Sequence, residues 1–179
     1  MSLNIQKIIV GPIETNCYLL VSNNEAVIID PGAEGARILF ELEKSGARLK
    51  YIINTHYHYD HVMANEEVRT KTGALVLIHE AEKDYIDFQV DRYLQEGEYV
   101  EFGDAKLEVI NTPGHSKGSI CLLGENIIFT GDTLFDGDCG RVDLAGGNWH
   151  EMEESLAKLK GIIKKGVYVY PGHGNDYVQ

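Results

Sequence analysis

Histidine and aspartate are concentrated in one short segment of this 179-residue chain, where residues 55–61 read Thr-His-Tyr-His-Tyr-Asp-His. Residues two apart in an extended chain point the same way, so His56, His58 and Asp60 are expected to project together, with His61 beside them. Imidazoles and a carboxylate without thiolate form a typical donor set for a first-row transition metal. The alternative is a polar loop of hydrogen-bonded histidines, but packing alone has no use for such a density of ligands. The segment therefore predicts a metal site.

Three later segments share one design, in which an apolar run is followed by glycine and then by a potential ligand. The ligands are His115, Asp132 and His173, each directly preceded by glycine. Taken singly, each is equally well explained as a turn whose polar residue is incidental. Because α/β folds place their sites in loops at the carboxyl ends of strands, the repeated design predicts that these residues join residues 56–61.

The number of candidate ligands predicts how many metals they hold. The candidates are His56, His58, Asp60, His61, His115, Asp132 and His173. A tetrahedral zinc typically takes four ligands, and fewer protein ligands at a catalytic site that keeps one position open. The set therefore predicts two metal ions, with one carboxylate able to bridge them. Two neighbouring metals hold a bridging hydroxide at neutral pH and stabilise charge on nucleophile and leaving group.

Two kinds of element alternate along the chain and position these ligands. Short β-branched or apolar runs predict strands at Ile5–Val10, Cys17–Val21, Ala26–Ile29, Tyr51–Ile53, Leu75–Ile78, Tyr99–Phe102, Leu107–Ile110, Ser119–Leu123, Ile127–Phe129 and Val167–Tyr170. Helical spacing of apolar residues predicts helices at Ala36–Lys44, Val62–Thr70 and Trp149–Ile163, the last with Asn148 as its N-cap. The alternation predicts an α/β layered domain with helices covering at least one face of each sheet.

Length and composition exclude several classes of protein. A chain of 179 residues suits one domain spanning 1–179. The 28 acidic against 16 basic residues give a net charge of −12, which disfavours nucleic-acid binding. No apolar run is long enough for a membrane span, and the N-terminus does not resemble a secretory signal. Three widely spaced cysteines form no disulfide framework. These features predict a cytoplasmic protein with no membrane or nucleic-acid partner, and leave its oligomeric state open.

Taken together, the motifs resemble those of the metallo-β-lactamase-fold hydrolases, and within them the glyoxalase II-like group. The resemblance is carried by the segment at Thr55–His61, by Gly-His at 114–115 and 172–173, and by Gly-Asp at 131–132, in that order. Ile29-Asp30-Pro31-Gly32 is similar to an early family segment whose aspartate supports the metal site from behind. The resemblance implies an αββα four-layer sandwich, with two mixed β-sheets packed together, helices on the outer faces and the site at one edge.

The resemblance also implies a role for each ligand. Metal 1 would be held by His56, His58 and His115, metal 2 by Asp60, His61 and His173, and Asp132 would bridge them. The implied activity is that of a dinuclear hydrolase, a thioesterase of the glyoxalase II type, in which a metal-bridging hydroxide attacks and Asp60 and Asp132 are catalytic. The cofactors are two divalent ions, with zinc as the first expectation and iron or manganese as alternatives. The substrate would be a small thioester or ester.

Two other functions compete with this one. Residues 131–147 are also similar to persulfide dioxygenases, which would hold a single iron with His56, His115 and Asp132. A non-catalytic metal-binding module is the third class, but a dead site usually loses ligands and none is missing here. Full-length glyoxalase II enzymes carry a helical C-terminal extension that helps bind glutathione, whereas this sequence ends soon after His173. Glutathione would then be bound differently, or the substrate is not a glutathione thioester.

Several nearby residues have more than one interpretation. Arg141 either pairs with a substrate carboxylate or forms a salt bridge with Asp138 or Asp143. Lys117 is interpreted as a solvated surface lysine, with contact to an anionic substrate as the alternative. Cys139 is either a redox thiol or, more commonly for a free cysteine, a small buried residue. His79 and His150 are interpreted as structural, with a weaker case for His79 behind the ligands.

Overall fold

The structure, a computed structural model that describes residues 3–179, contains two mixed six-stranded sheets. In order, the first sheet contains β1 (Asn4–Val10), β2 (Thr15–Ser22), β3 (Glu25–Ile29), β4 (Arg48–Ile53), β5 (Leu75–His79) and β6 (Arg92–Leu94). The second contains β7 (Tyr99–Phe102), β8 (Ala105–Asn111), β9 (Ile120–Gly124), β10 (Ile127–Gly131), β11 (Tyr168–Pro171) and β12 (Tyr177–Val178). Strands β3 to β6 run parallel to one another, as do β10 and β11, and the other neighbours are antiparallel.

Helices cover the outer faces of both sheets. They are α1 (Gly35–Ser45), α2 (Tyr59–Val62), α3 (Asn65–Thr72) and α4 (Trp149–Ile162), with a short 3-10 turn at Glu80–Glu82. Residues of α1 and α3 pack with the first sheet, and residues of α4 pack with the second. The expected αββα sandwich of two mixed sheets with outer helices is therefore confirmed. Within residues 3–179, no helix combines the length and the apolar character needed to cross a membrane.

Successive residues of the central strands enter different layers of the core. Leu19 packs under the helices of the first sheet, whereas Leu20 packs between the two sheets. Likewise, Ile52 packs under the helices of the first sheet and Ile53 packs between the two sheets. Alternate side chains of a strand point to opposite faces, so a sheet buried on both faces needs continuous apolar strands. This requirement explains the unbroken apolar runs of the sequence and holds the loops after these strands on a rigid base.

The helix predicted at Val62–Thr70 was wrong in its extent, because the chain forms two helices, α2 and α3, in this region. Between them, the Ala64 amide donates to the Pro31 carbonyl at 2.9 Å. The buried amides of Asn54 and Asn65 also bond to each other, at 2.8 and 3.2 Å. These tertiary contacts hold the break between the helices. Strands β6 and β12 were not predicted, since strands of three and two residues are too short to show a pattern in the sequence.

The N-cap prediction for the last helix is confirmed. The side chain of Asn148 accepts a hydrogen bond from the Glu151 amide at 3.2 Å, and the Asn148 amide donates to the Gly114 carbonyl at 2.8 Å. We expect Asn148→Ala to lower the free energy of unfolding by about 1 kcal/mol, because a helix N–H loses its partner. Urea unfolding measures the loss. Asn148→Ser keeps a capping oxygen and should lose less than half as much, and equal losses for the two variants would contradict the capping role.

Candidate metal centre

The candidate ligands lie after the carboxyl ends of strands from both sheets, in loops or, for Asp60 and His61, in the short helix α2. His56 follows β4 of the first sheet, whereas His115, Asp132 and His173 follow β8, β10 and β11 of the second. Because β10 and β11 are parallel neighbours, their carboxyl ends bring Asp132 and His173 to the same place. The structure thus brings loops from both sheets together at one end of the sandwich.

Three imidazoles form a first group of potential ligands. His115 Nε2 lies 2.8 Å from His58 Nδ1 and 3.2 Å from His56 Nε2. Their ligand atoms all lie within 4.8 Å of one another. Two nitrogens on one tetrahedral zinc are separated by about 3.3 Å, given Zn–N bonds of roughly 2.0–2.1 Å. The spacing of this group therefore suits a shared metal ion.

Asp60, His61 and His173 form a second group. Asp60 Oδ2 lies 3.2 Å from His61 Nε2 and 3.2 Å from His173 Nε2. The ligand atoms of this group also lie within 4.8 Å of one another. One carboxylate oxygen and two imidazole nitrogens at this spacing again suit one metal ion.

The carboxylate of Asp132 lies between the two groups. Its Oδ2 is 3.5 Å from His115 Nε2 of the first group and 3.5 Å from His173 Nε2 of the second. Its Oδ1 is 3.5 Å from His61 Nε2. All the ligands proposed from the sequence are thus brought into one cluster, with Asp132 placed where a bridging ligand would be.

Several buried atoms of the cluster lack hydrogen-bond partners. Among residues 3–179, the buried side-chain atoms without a partner include His61 Nε2, Asp132 Oδ1 and His58 Nε2. A buried polar atom without a partner is uncommon, and it points to a missing ion or water. A cation between His61 Nε2 and Asp132 Oδ1 would satisfy both atoms, so the residues present fit a metal centre.

Hydrogen bonds behind the cluster orient three of the imidazoles. The Nδ1 atoms of His61, His115 and His173 lie 2.9, 2.7 and 3.2 Å from Asp30 Oδ2, Arg141 O and Ile13 O. An Nδ1–H that donates to an oxygen leaves Nε2 as the free, metal-binding nitrogen. In each of the three rings, Nε2 is the atom that faces the cluster.

Asp30 lies behind the ligands, as the resemblance implied. It is 1% exposed, and its carboxylate accepts bonds of 2.7 Å from both the amide and the hydroxyl of Thr55. It also contacts His61. One buried carboxylate therefore orients His61 directly and fixes the residue that precedes His56.

Burial lowers the pKa of the three histidines in the first group; neighbouring imidazoles add to this effect, and Asp132 opposes it at His58 and His115. The pKa of His58 falls to about 4, through burial and then the proximity of His115. A histidine with a lowered pKa is neutral at pH 7. Neutral imidazole is the form that binds a metal, so this group is ready to do so.

The second group has the opposite electrostatics. Burial opposes protonation of His61 and His173, but nearby carboxylates outweigh it and raise the pKa of both rings. Asp132 and Asp30 raise the pKa of His61, and Asp60 contributes most to raising the pKa of His173. Burial disfavours the ionised form of Asp60, but His173 and His61 outweigh burial and hold the pKa of Asp60 well below its usual range. This group holds paired charges, and a metal cation would replace protons there.

Gly172 is required at the cluster because nothing larger fits. A Cβ atom at this position would lie 2.2 Å from Asp132 Oδ1 and 2.9 Å from His61 Cε1. The absence of a side chain lets the loop after β11 pass directly beside the ligands.

The structure shows the surroundings of three residues that the sequence left open. Arg141 forms a two-pronged ion pair with Asp143, at 2.7 and 2.8 Å, and both side chains are exposed. Lys117 is exposed. Cys139 is partly buried, and burial raises the pKa of its thiol, with Asp138 adding to the effect.

The two histidines outside the cluster have different surroundings. His79 is buried, and its ring accepts a hydrogen bond from the Ala81 amide at 3.3 Å, so it caps the 3-10 turn. His150 is exposed and lies 3.6 Å from Glu154 Oε1 on the surface of α4.

Sequence reasoning missed two residues that support the cluster. Thr15 donates its hydroxyl hydrogen to Asp60 Oδ2 at 2.9 Å. Glu82 accepts hydrogen bonds from Tyr57, in the loop of His56 and His58, and from Ser116, in the loop of His115. Neither residue belongs to a motif, and no signal in a single sequence separates them from ordinary polar residues.

The family follows from a sequence match that covers most of the chain and includes every candidate ligand. The sequence profile of the Metallo-beta-lactamase superfamily matches residues 10–173. This chain belongs to the metallo-β-lactamase superfamily. It is 33% identical over 186 residues to the "Probable metallo-hydrolase YqgX" of Bacillus subtilis, covering 93% of this chain and 88% of that protein. It is 37% identical over 160 residues to a hydroxyacylglutathione hydrolase of Pelagibacter ubique, covering 87% of this chain and 65% of that protein.

Solved structures of the superfamily have the same fold. The B3 metallo-beta-lactamase BLEG-1 superposes with a TM-score of 0.90 at 28% identity, covering 98% of this chain and 94% of that chain. ETHE1 from Myxococcus xanthus superposes with a TM-score of 0.86 at 28% identity, covering 96% of this chain and 76% of that chain. The chain is thus a member of a metallo-hydrolase family with glyoxalase II homologues, and the resemblance to that group is confirmed.

Proposed function

We propose that this protein is a dinuclear metal-dependent thioesterase of the hydroxyacylglutathione hydrolase type. One observation carries the proposal: two groups of three ligands flank the single carboxylate of Asp132. A single ion held by His56, His115 and Asp132 would leave the ligands of the second group without a metal. The name of the relative from Pelagibacter ubique, a hydroxyacylglutathione hydrolase, supports a hydroxyacyl thioester of glutathione as the substrate class.

Each group would hold one ion. His56, His58 and His115 would hold the first, Asp60, His61 and His173 would hold the second, and Asp132 would contribute to both. Imidazole and carboxylate ligands suit zinc, and also iron or manganese. Bound there, two such ions supply a water molecule ionised at neutral pH and positive charge for the carbonyl oxygen of the substrate.

The remaining tasks fall to the chain itself. Asp60, held by the Thr15 hydroxyl, orients the attacking water through a hydrogen bond. Asp132 keeps the two groups at a fixed spacing. The thiol leaving group ionises at a pKa of about 8.5, so it departs as a thiolate without a proton from the protein. No protein nucleophile is required.

The test combines metal analysis with thiol release. Protein purified without oxygen should contain close to two metal equivalents per chain and should release thiol from a 2-hydroxyacyl-glutathione thioester. We expect His58→Ala to lose the metal of the first group and at least about 99% of this activity, because loss of a ligand should cost more than the roughly 10- to 100-fold lost when a partner behind a ligand is changed. His150→Ala removes an exposed histidine outside the cluster and is the matched control. Full thioesterase activity in His58→Ala would overturn the proposal.

A mononuclear iron persulfide dioxygenase is the second candidate. His115 Nε2 lies 3.2 Å from His56 Nε2 and 3.5 Å from Asp132 Oδ2, which matches the two-histidine, one-carboxylate set of non-haem iron oxygenases. The same metal analysis separates the candidates. A single iron equivalent, with oxygen uptake on addition of glutathione persulfide, would favour the dioxygenase over the thioesterase.

A further inference from the structure

A buried carboxylate outside the ligand set joins two of the ligand loops. Glu82 is 0% exposed and ends the 3-10 turn that His79 caps. Its Oε2 accepts a hydrogen bond from the Tyr57 amide at 3.0 Å. Its Oε1 accepts one from the Ser116 hydroxyl at 2.9 Å and another from the Gly118 amide. Burying a carboxylate is costly unless donors satisfy it, and here three donors from two loops converge on it.

The donors lie next to the ligands of the first metal group and not of the second. Tyr57 stands between His56 and His58, and Ser116 directly follows His115. Each ligand of the first group is therefore next in the chain to a residue that donates a hydrogen bond to Glu82. The second group is supported by other atoms, namely the Thr15 hydroxyl, the Asp30 carboxylate and the Ile13 carbonyl.

We propose that Glu82 is a positioning residue that holds the first metal group in its binding geometry by tying the loop of His56 and His58 to the loop of His115. This inference rests on the two-metal assignment proposed above. Glu82 accepts its hydrogen bonds from the Tyr57 and Gly118 amides and the Ser116 hydroxyl, so it acts on the ligands through their neighbours in the chain.

The chemistry of the three donors requires a carboxylate. Both oxygens of an ionised carboxylate accept hydrogen bonds, whereas glutamine has one accepting oxygen and an NH2 group that only donates. In Glu82→Gln, the oxygen that stays with Ser116 and Gly118 leaves the NH2 group facing the Tyr57 amide. Two donors then face each other beside His56 and His58. The substitution keeps the size of the side chain and removes the tie.

The experiment measures zinc affinity in two single-group backgrounds. His173→Ala leaves the first group complete, and His58→Ala leaves the second complete. Zinc affinity is measured by competition with a chromophoric chelator. We expect Glu82→Gln to weaken zinc binding by about 10- to 100-fold in the His173→Ala background, as loss of a group behind a metal ligand does. In the His58→Ala background, it should leave the affinity unchanged.

Two further variants separate a positioning role from general destabilisation. Glu80→Gln changes an exposed carboxylate on the same turn, which bonds to Gln95, and should leave both affinities unchanged. Gly118→Ala places a Cβ 2.7 Å from Glu82 Cγ, so it should displace Glu82 and reproduce the selective loss. In cobalt-loaded His173→Ala protein, Glu82→Gln should also shift the visible absorption bands of the metal, and Glu80→Gln should not.

Three results would overturn the inference. The first is equal weakening in both backgrounds, which would indicate a structural role alone. The second is unchanged affinity in the His173→Ala background. The third is a His173→Ala protein that binds no zinc, because the first group would then not be self-sufficient. The metal content of the unmodified protein is measured separately, and one equivalent there would count against the two-metal function without obscuring the effect of Glu82.

Discussion

Asp132→Ala is expected to lower kcat/KM for thioester hydrolysis at least about 1,000-fold, a loss of about 4 kcal/mol of transition-state stabilisation. The side chain is 11% exposed and lies 3.5 Å from the ring nitrogens of His61, His115 and His173. Its removal takes a ligand from both groups at once and leaves paired imidazoles facing each other. Metal content should fall together with activity. Steady-state kinetics and elemental analysis of the same preparation measure both.

Asp136→Ala is the control for this variant, since Asp136 is an exposed aspartate on the same loop. It should keep the metal content and rate of the unmodified protein. Asp132→Asn retains one accepting oxygen, so its metal content and rate should fall between those of Asp132→Ala and Asp136→Ala. An Asp132→Ala protein that keeps two metal equivalents and its full rate would show that the carboxylate does not bridge the groups.

Gly172→Ala should be nearly as damaging, although it changes no ligand. The added methyl carbon would lie 2.2 Å from Asp132 Oδ1, far inside contact distance, and 2.9 Å from His61 Cε1. Either the loop after β11 or the two ligands must move. A misplacement of about 1 Å near the chemistry can cost about 100-fold in rate, and we expect at least that loss. Zinc affinity should also fall, measured by chelator competition.

Gly161→Ala is the matched control for the glycine variant. Gly161 lies in α4, and a Cβ there would meet nothing within 4 Å. It should leave metal binding unchanged and raise the free energy of unfolding by up to about 1 kcal/mol, because alanine favours the helix. If Gly172→Ala bound metal as tightly as this control, the close approach at Gly172 would have no functional weight.

The candidate ligands could be proposed from the sequence because metal chemistry restricts the residue types so strongly. Three of them directly follow glycine at the ends of apolar strands, and the other four lie within residues 56–61. Gly131 and Gly172 belong to this signal because their backbone passes next to the ligands. The sandwich architecture followed from the family resemblance, and the continuous apolar strands of the two sheets agree with it.

The residues behind the ligands could not be found in this way. Thr15 acts through a contact with a residue 45 positions away in the chain, and Glu82 acts through contacts with residues 25, 34 and 36 positions away. A lone threonine or glutamate has no spacing to recognise. The break between α2 and α3 was missed for the same reason, because it depends on contacts such as the pair formed by Asn54 and Asn65. Local patterns do not encode such distant partners.

The first metal group takes its ligands from both sheets, and this affects the stability of the fold. His56 and His58 are carried by one sheet and His115 by the other, so an ion shared by them would clamp the open ends of the sandwich together. Such an ion binds only the folded chain, and at a concentration 100 times its dissociation constant it adds about 2.7 kcal/mol to the stability. Metal supply would then set the lifetime of the folded protein against unfolding and proteolysis, in addition to its rate of turnover.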